Sequence, residues 1–317
     1  MTELGYALSS EEHPPSQLVR FARRAEETGF RFAFISDHFH PWIDRQGQSP
    51  FVWAVLGAIA ESTEHIRIGT GVTCPLIRTH PAIIAQAAAT CGVMLPGRFM
   101  LGLGTGENLN EHITGERWPP IDVRLEMLSE AIEVIRLLWQ GGTRSFRGRH
   151  YTVEDACIYT LPAKLPPLVI AAGGEKAATI AGAQGDGLVG TGPDGDLLDT
   201  FHAAGGDGKP RYGQVSVCYA EDEDEAVQTA LEWWPNAAIP GQLTQELAQP
   251  AFMEMAAERV RPDDITERVA CGPDPERHLD FIRRYADAGY EHVYIHQVGP
   301  DQEGFFRFYE QHVLPKV

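Results

Sequence analysis

The chain has 317 residues, 43% hydrophobic and 22% charged, which suits a globular protein with a large core and a length ordinary for one α/β barrel with insertions. Its 26 lysines and arginines against 44 aspartates and glutamates leave a net charge of −18, which repels phosphodiester backbones and anionic lipid and argues against nucleic-acid or membrane partners. Five scattered cysteines (Cys74, Cys91, Cys157, Cys218, Cys271), never in a CxxC pair, argue against a disulfide framework or zinc knuckle. With no signal-peptide pattern in MTELGYALSS and no apolar run long enough to span a bilayer, the expectation is a soluble, cytoplasmic protein.

Short β-like runs alternate with amphipathic helical stretches. LGYALS from Leu4 reads as a strand, and Pro14 to Gly29 as a helix with Leu18, Phe21, Ala22 and Ala25 on one face. Gly29 stands where a helix C-cap belongs. Phe30–Asp37 reads as a second strand, Ser49–Glu64 as a helix, Ile66–Cys74 as a third strand, PAIIAQAAATCGVM as a helix and Phe99–Glu107 as a fourth strand. A long helix over Ile121–Trp139 precedes a hairpin excursion, RSFRGRHYTVEDACIY. PLVIAAGG, the helix Glu175–Gln184 and GLVGTG follow, then VSVCYAED as a seventh strand and the helix Glu223–Trp234. DPERHLDFIRRYADAG, YEHVYIHQVG and a last helix close the chain. Eight evenly spaced units with near-continuous apolar strands imply a parallel sheet covered by helices. The spacing favours a closed (β/α)8 TIM barrel over a doubly wound sheet. The pattern reads as one domain over residues 1–317, with insertions near 140–165 and 235–264.

In such barrels the reacting groups sit at the C-terminal ends of strands. The second strand ends in Ser36-Asp37-His38-Phe39-His40-Pro41-Trp42, an imidazole beside a carboxylate, suited to proton transfer near neutral pH. A loop histidine bonded to backbone, or a His38/His40 metal pair, are the other readings, the latter lacking a third ligand nearby. The third ends in Gly69-Thr70-Gly71-Val72-Thr73-Cys74, either a kink that closes the barrel or a bed for a flat ligand. The fourth ends in Gly102-Leu103-Gly104-Thr105-Gly106-Glu107. It is not a dinucleotide fingerprint, because Glu107 stands where the last glycine is needed. Glu107 is read either as the acid–base complement of His38 or as a solvated helix start. Ala171-Ala172-Gly173-Gly174 opens directly into a helix, either a simple tight turn or a set of exposed backbone N–H groups suited to a phosphate. His296, near the end of the last strand, is assigned either to the pocket or to the frame.

Taken together, SDHFHPW, IGTGVTCP, GLGTGENLNE and IAAGG resemble the bacterial luciferase-like superfamily through nearly the whole chain, and within it the deazaflavin branch of F420-dependent sugar-phosphate dehydrogenases. The resemblance implies a homodimeric barrel that binds coenzyme F420 and a small-molecule substrate, with no metal. It implies catalytic roles for Asp37, His38, Trp42 and Glu107. His38 would take a proton from a substrate hydroxyl while the carbinol hydrogen passes as hydride to the deazaflavin, Glu107 would supply a proton to the reduced ring, and Asp37 would hold His38 or contact the cofactor. Cofactor contacts map onto Asp37, Gly71, Val72, Cys74, Glu107, Asn110, Ala172, Gly173 and Gly174, with a non-proline cis peptide between Gly71 and Val72. Substrate contacts map onto Trp42 and Arg268.

The family's sugar-phosphate enzymes hold the substrate phosphate with two lysines and an arginine. Here Asp194 and Met255 stand at the lysine positions and only Arg268 survives, so a less charged alcohol or ketone is expected rather than a dianion. Arginines in RSFRGRH (Arg144, Arg147, Arg149) and RHLDFIRR (Arg277, Arg283, Arg284) are either receivers of the acidic cofactor tail or solvated faces. The alternatives of other kinds are an FMN-dependent monooxygenase, a reductase running the same chemistry backwards, and a cofactor-binding protein without turnover.

Overall fold

The computed structural model describes residues 2–317. Eleven strands form in chain order: β1 Glu3–Leu8, β2 Phe32–Ile35, β3 Arg67–Thr70, β4 Phe99–Leu103, β5 Arg144–Arg147, β6 Thr152–Ala156, β7 Leu168–Ala171, β8 Gly187–Gly190, β9 Arg211–Cys218, β10 Val269–Cys271 and β11 His292–Gln297. Eight of them pair in parallel around a ring, β1-β2-β3-β4-β7-β8-β9-β11 and back to β1, the β8–β9 pairing closing it. This is the expected (β/α)8 barrel.

The fold follows from where each strand buries its two faces. Inward side chains, among them Phe32, Phe34, Met100, Val169, Tyr212 and Tyr294, fill the barrel interior, with Phe34 edge-on to both Tyr212 and Tyr294. Outward side chains pack beneath the helices in one continuous layer. The first helix, Pro15–Thr28, buries the expected Leu18, Phe21, Ala22 and Ala25, and Gly29 ends it in the left-handed conformation at φ 106°. The excursion after the long helix Ile121–Leu138 is the antiparallel β5–β6 hairpin, lying outside the barrel.

Two elements were not anticipated. Gly195–Phe201 is a helix within TGPDGDLLDT, capped by the Asp194 carboxylate, which accepts from the Leu197 amide at 3.0 Å. The three-residue β10 pairs with Ser216–Cys218, the upper half of β9, whose lower half pairs with β8. The barrel is therefore splayed at its C-terminal mouth between β8 and β9. The segment 235–264 supplies no strand but a run of short helices, Leu243–Glu246, Pro250–Ala257 and Pro262–Thr266, and its first part, from Asn236 to Gln245, lines this mouth.

Candidate active site

A cavity of about 980 Å³ occupies the C-terminal mouth. The strands themselves stop short of the chemistry. β2 ends at Ile35, so Asp37 to Trp42 form a loop outside the ladder.

His38 sits between two carboxylates. Its Nδ1 lies 3.0 Å from Glu11 Oε1 and its Nε2 3.8 Å from Glu107 Oε2, and the ring is edge-on to the Trp42 indole at 4.9 Å. Glu11 lies off the Nδ1–H axis, making a close charge contact rather than an aligned hydrogen bond. Glu11 is 1% exposed, and its other oxygen accepts from Ser36 Oγ at 2.7 Å and Ser9 Oγ at 3.1 Å. A carboxylate so held stays aimed at the Nδ1 side of the imidazole and leaves Nε2 toward the cavity. Glu107 is more open, at 27% side-chain exposure, and accepts from Asn110 Nδ2 at 3.3 Å.

Of the two carboxylates it is Glu11, and not Asp37, that contacts the His38 ring. Asp37 Oδ2 accepts from Thr73 Oγ1 at 2.8 Å and Oδ1 from Arg78 Nη2 at 3.0 Å. Arg78 in turn meets Glu111 at 3.4 Å, and both are almost fully buried. Burial raises the Glu111 carboxyl despite the Arg78 charge, while Asp37 and Glu111 together outweigh burial and raise Arg78. Asp37 thus ties the His38 loop to the loop after β3. Asn110 does similar work: its Oδ1 accepts from the amides of Phe39 at 2.9 Å and His40 at 3.1 Å, and it is 2% exposed. It braces the loop from behind instead of lining the cavity. His40 turns aside, its Nδ1 on the Leu109 carbonyl at 2.7 Å. Among the described residues no three His, Cys, Asp or Glu side chains are grouped as metal ligands.

The bed opposite is made of backbone. The Gly71–Val72 peptide is cis, and Val72 lines the cavity. Gly104 lets this bulge approach, since a Cβ there would lie 2.7 Å from Val72 Cγ2. Cys74 is absent from the cavity wall: it is buried under Gly106, whose Cβ would meet its sulfur at 2.5 Å, and burial pushes its thiol well above the ordinary range. Ala172, Gly173 and Gly174 line the cavity at the start of the helix Glu175–Gln184, which has no side-chain cap. Its first N–H groups are left for a ligand, as an anion requires.

The lid segment covers the other side, tied down by Arg124 to Glu246 at 3.1 Å and by Asn108 Nδ2 to the Glu246 carbonyl at 2.9 Å. Arg268 lines the cavity from its rim and makes no ion pair within 4 Å among the described residues. Asp194 is spent on its helix cap, and Met255 is 64% exposed and off the cavity. Arg147, Arg149 and Arg283 are taken up in exposed ion pairs away from it.

A parallel barrel with an imidazole between carboxylates at its C-terminal mouth, a flat glycine-rich bed and an anion-ready helix start defines an enzyme of proton-coupled group chemistry on a cofactor. The chain belongs to the family of luciferase-like monooxygenases, whose model matches residues 1–292. It is 38% identical to an F420-dependent glucose-6-phosphate dehydrogenase of Microbacterium testaceum, covering 99% of this chain and 96% of that protein, and 36% identical to one of Nocardia farcinica, covering 99% and 98%. Its structure superposes with TM-score 0.93 and 30% identity on an F420-dependent secondary alcohol dehydrogenase solved with an F420-acetone adduct, covering 99% and 98% of the two chains.

Proposed function

We propose that this protein is an F420-dependent oxidoreductase that dehydrogenates a small alcohol carrying no phosphate. The observation that carries this reading is His38, clamped by Glu11 and facing Glu107 and Trp42 across a cavity floored by Val72. The residues suit the cofactor: Val72 and Gly104 offer a flat surface for the deazaflavin, and the Gly173-Gly174 turn offers free amides for its phosphate. When bound, F420 supplies a two-electron hydride acceptor that favours hydride transfer over oxygen activation.

Within that frame, His38 Nε2 accepts the substrate hydroxyl proton. The Glu11 charge at Nδ1 stabilises the imidazolium that results, without itself taking the proton. Glu107, partly exposed at the cavity, is placed to pass a proton on the cofactor side. Trp42 limits the swing of the His38 ring. A dianionic substrate lacks partners, because the only unpaired cation on the wall among the described residues is Arg268. The enzyme acts in the cytoplasm, consistent with five unpaired cysteines. It acts as a homodimer, for which the exposed Phe51, Ile83 and Val93 on the second and third helices offer apolar surface.

The test is fluorescence titration with F420 and, separately, FMN, followed by addition of 2-propanol or glucose 6-phosphate while the oxidised deazaflavin is watched for bleaching. Tight F420 binding with bleaching by the neutral alcohol alone is expected. Preference for FMN overturns the cofactor assignment, and bleaching by glucose 6-phosphate alone overturns the substrate charge.

A further inference from the structure

A second carboxylate–imidazole pair stands in the same cavity. Glu12, next in the chain to the residue that holds His38, binds His296 at the end of β11, with Oε2 2.8 Å from Nε2. Its other oxygen accepts the Gly299 amide at 2.8 Å. Glu12 is 6% and His296 1% exposed. β1 lies between β2 and β11 in the barrel. Successive glutamates at the end of β1 therefore grip a histidine on each flank, His38 toward β2 and His296 toward β11.

His296 differs from His38 in what surrounds it. Its ring lines the cavity and stands edge-on to Trp234 at 4.2 Å, and its Nδ1, like that of His38, is buried without a hydrogen bond, but its carboxylate sits at Nε2 instead of facing that Nδ1. Two amides of the lid are in the same condition: Asn236 Oδ1 and Gln245 Oε1 are buried, line the cavity and lack partners. Buried polar atoms are nearly always paired; of the four left without a hydrogen bond on this cavity, His38 Nδ1 faces the Glu11 charge at 3.0 Å, and the other three are matched by what the cavity holds. Trp42, edge-on to His38, packs against the two apolar clusters that hold the lid-side Trp234 and Ile239, which brings this wall toward the reacting hydroxyl at His38. The three are an imidazole nitrogen and two amide oxygens, atoms that accept or exchange hydrogen bonds with hydroxyls.

We propose that the substrate is a neutral polyhydroxylated alcohol, with one carbinol at His38 and its other hydroxyls read by His296, Asn236 and Gln245. This rests on the dehydrogenase reading above and narrows its substrate. The carbinol at His38 loses its C–H as hydride to F420 and its O–H proton to His38, leaving a carbonyl. The remaining hydroxyls are unchanged. Glu12 acts through His296, fixing the ring so that Nδ1 is offered to substrate.

The experiment compares sorbitol with 2-propanol. Wild-type enzyme loaded with F420 should bleach with a kcat/KM for sorbitol at least about tenfold that for 2-propanol, since a site with open hydrogen-bonding atoms disfavours a ligand that leaves them unpaired. His296→Phe should lower the sorbitol value about tenfold or more and leave the 2-propanol value within about twofold, with His296→Asn partly restoring the preference. Independently of turnover, sorbitol should shift the Nδ1 resonance of His296 in the ¹⁵N-histidine-labelled protein. A wild-type preference for 2-propanol, equal losses on both substrates in His296→Phe, or an unmoved Nδ1 resonance each overturns the proposal. Wild-type enzyme that oxidises neither alcohol while Nδ1 still shifts with sorbitol refutes the dehydrogenase reading and leaves the polyol site standing.

Discussion

On the β1–β4 side of the mouth the groups around the His38 loop are held by the protein itself: His38 by the Glu11 charge, Asp37 by Arg78 and Thr73, Arg78 by Glu111, and two backbone amides by Asn110. On the β7–β11 side and under the lid the reverse holds, with the open amides at Gly173 and Gly174, the unpaired Asn236, Gln245 and His296 Nδ1, and Arg268 free at the rim. A group that moves a proton must be held in one geometry before the ligand arrives, so its partners belong to the protein. A surface that recognises a ligand keeps hydrogen-bonding atoms in reserve, so its partners arrive with the substrate.

The contrast breaks most sharply at His38. His38→Ala should lower kcat by about 10²–10⁴, the usual worth of a positioned base, while F420 affinity measured by fluorescence stays within a few-fold. An unchanged kcat would remove His38 from the chemistry. Arg78→Met should act on stability, leaving the buried Asp37 and Glu111 carboxylates without their cation at a cost of about 3–5 kcal/mol. Arg268→Met, at the exposed rim, should move urea unfolding by no more than about 0.5 kcal/mol. Equal losses in the two variants would erase the distinction between the sides.

Much of the interlocked side was legible in the chain, and its wiring was not. The runs ending in His38, Trp42 and Glu107 announce themselves because strand ends of a barrel gather at one mouth. Asp37 beside His38 suggested a pair, but neighbours on extended backbone point to opposite sides, so Asp37 faces Thr73 and Arg78 while His38 faces Glu11 and the cavity. The end of β1, Ser9-Ser10-Glu11-Glu12-His13, is also a strand end and carries both gripping carboxylates. No spacing rule links it to His38 or His296, because those contacts cross between strands. Cys74 looked like cofactor surface and is packing under Gly106. β10 escaped notice because three residues cannot show a period. The helix after Thr191 was masked by Pro193 and Gly195, although Asp194 is a sound N-cap.

Two glycines sharpen the comparison on a smaller scale. Gly104→Ala places a methyl 2.7 Å from Val72 Cγ2 and should cost about 1–3 kcal/mol by overpacking, weakening F420 binding along with the fold. Gly173→Ala meets nothing within 4 Å, so stability should hold within about 0.5 kcal/mol while F420 affinity falls several-fold. Thermal unfolding with and without F420 separates the two. A Gly173→Ala protein that binds as wild type would place the phosphate elsewhere.

Glu12 lies where the two sides meet and gives the smallest and most diagnostic effect. Burial pushes its carboxyl up, but the hydrogen bond and charge of His296, the charge of His13 and the Gly299 amide outweigh burial and hold it below the ordinary carboxylate range. A carboxyl lowered on folding contributes stability above its unfolded pKa of about 4.3 and loses it as pH falls through the folded value. Glu12→Gln keeps an acceptor for His296 and removes the charge, so it should be less stable than wild type at pH 7 by about 1 kcal/mol. In urea unfolding at pH 7, 5, 4 and 3.5 that gap should persist to pH 5 and close below about 4.3, where the wild-type carboxyl also takes up a proton. A gap constant across the series would mean that Glu12 is already neutral in the folded protein, and that His296 is held by shape and a neutral hydrogen bond rather than by charge.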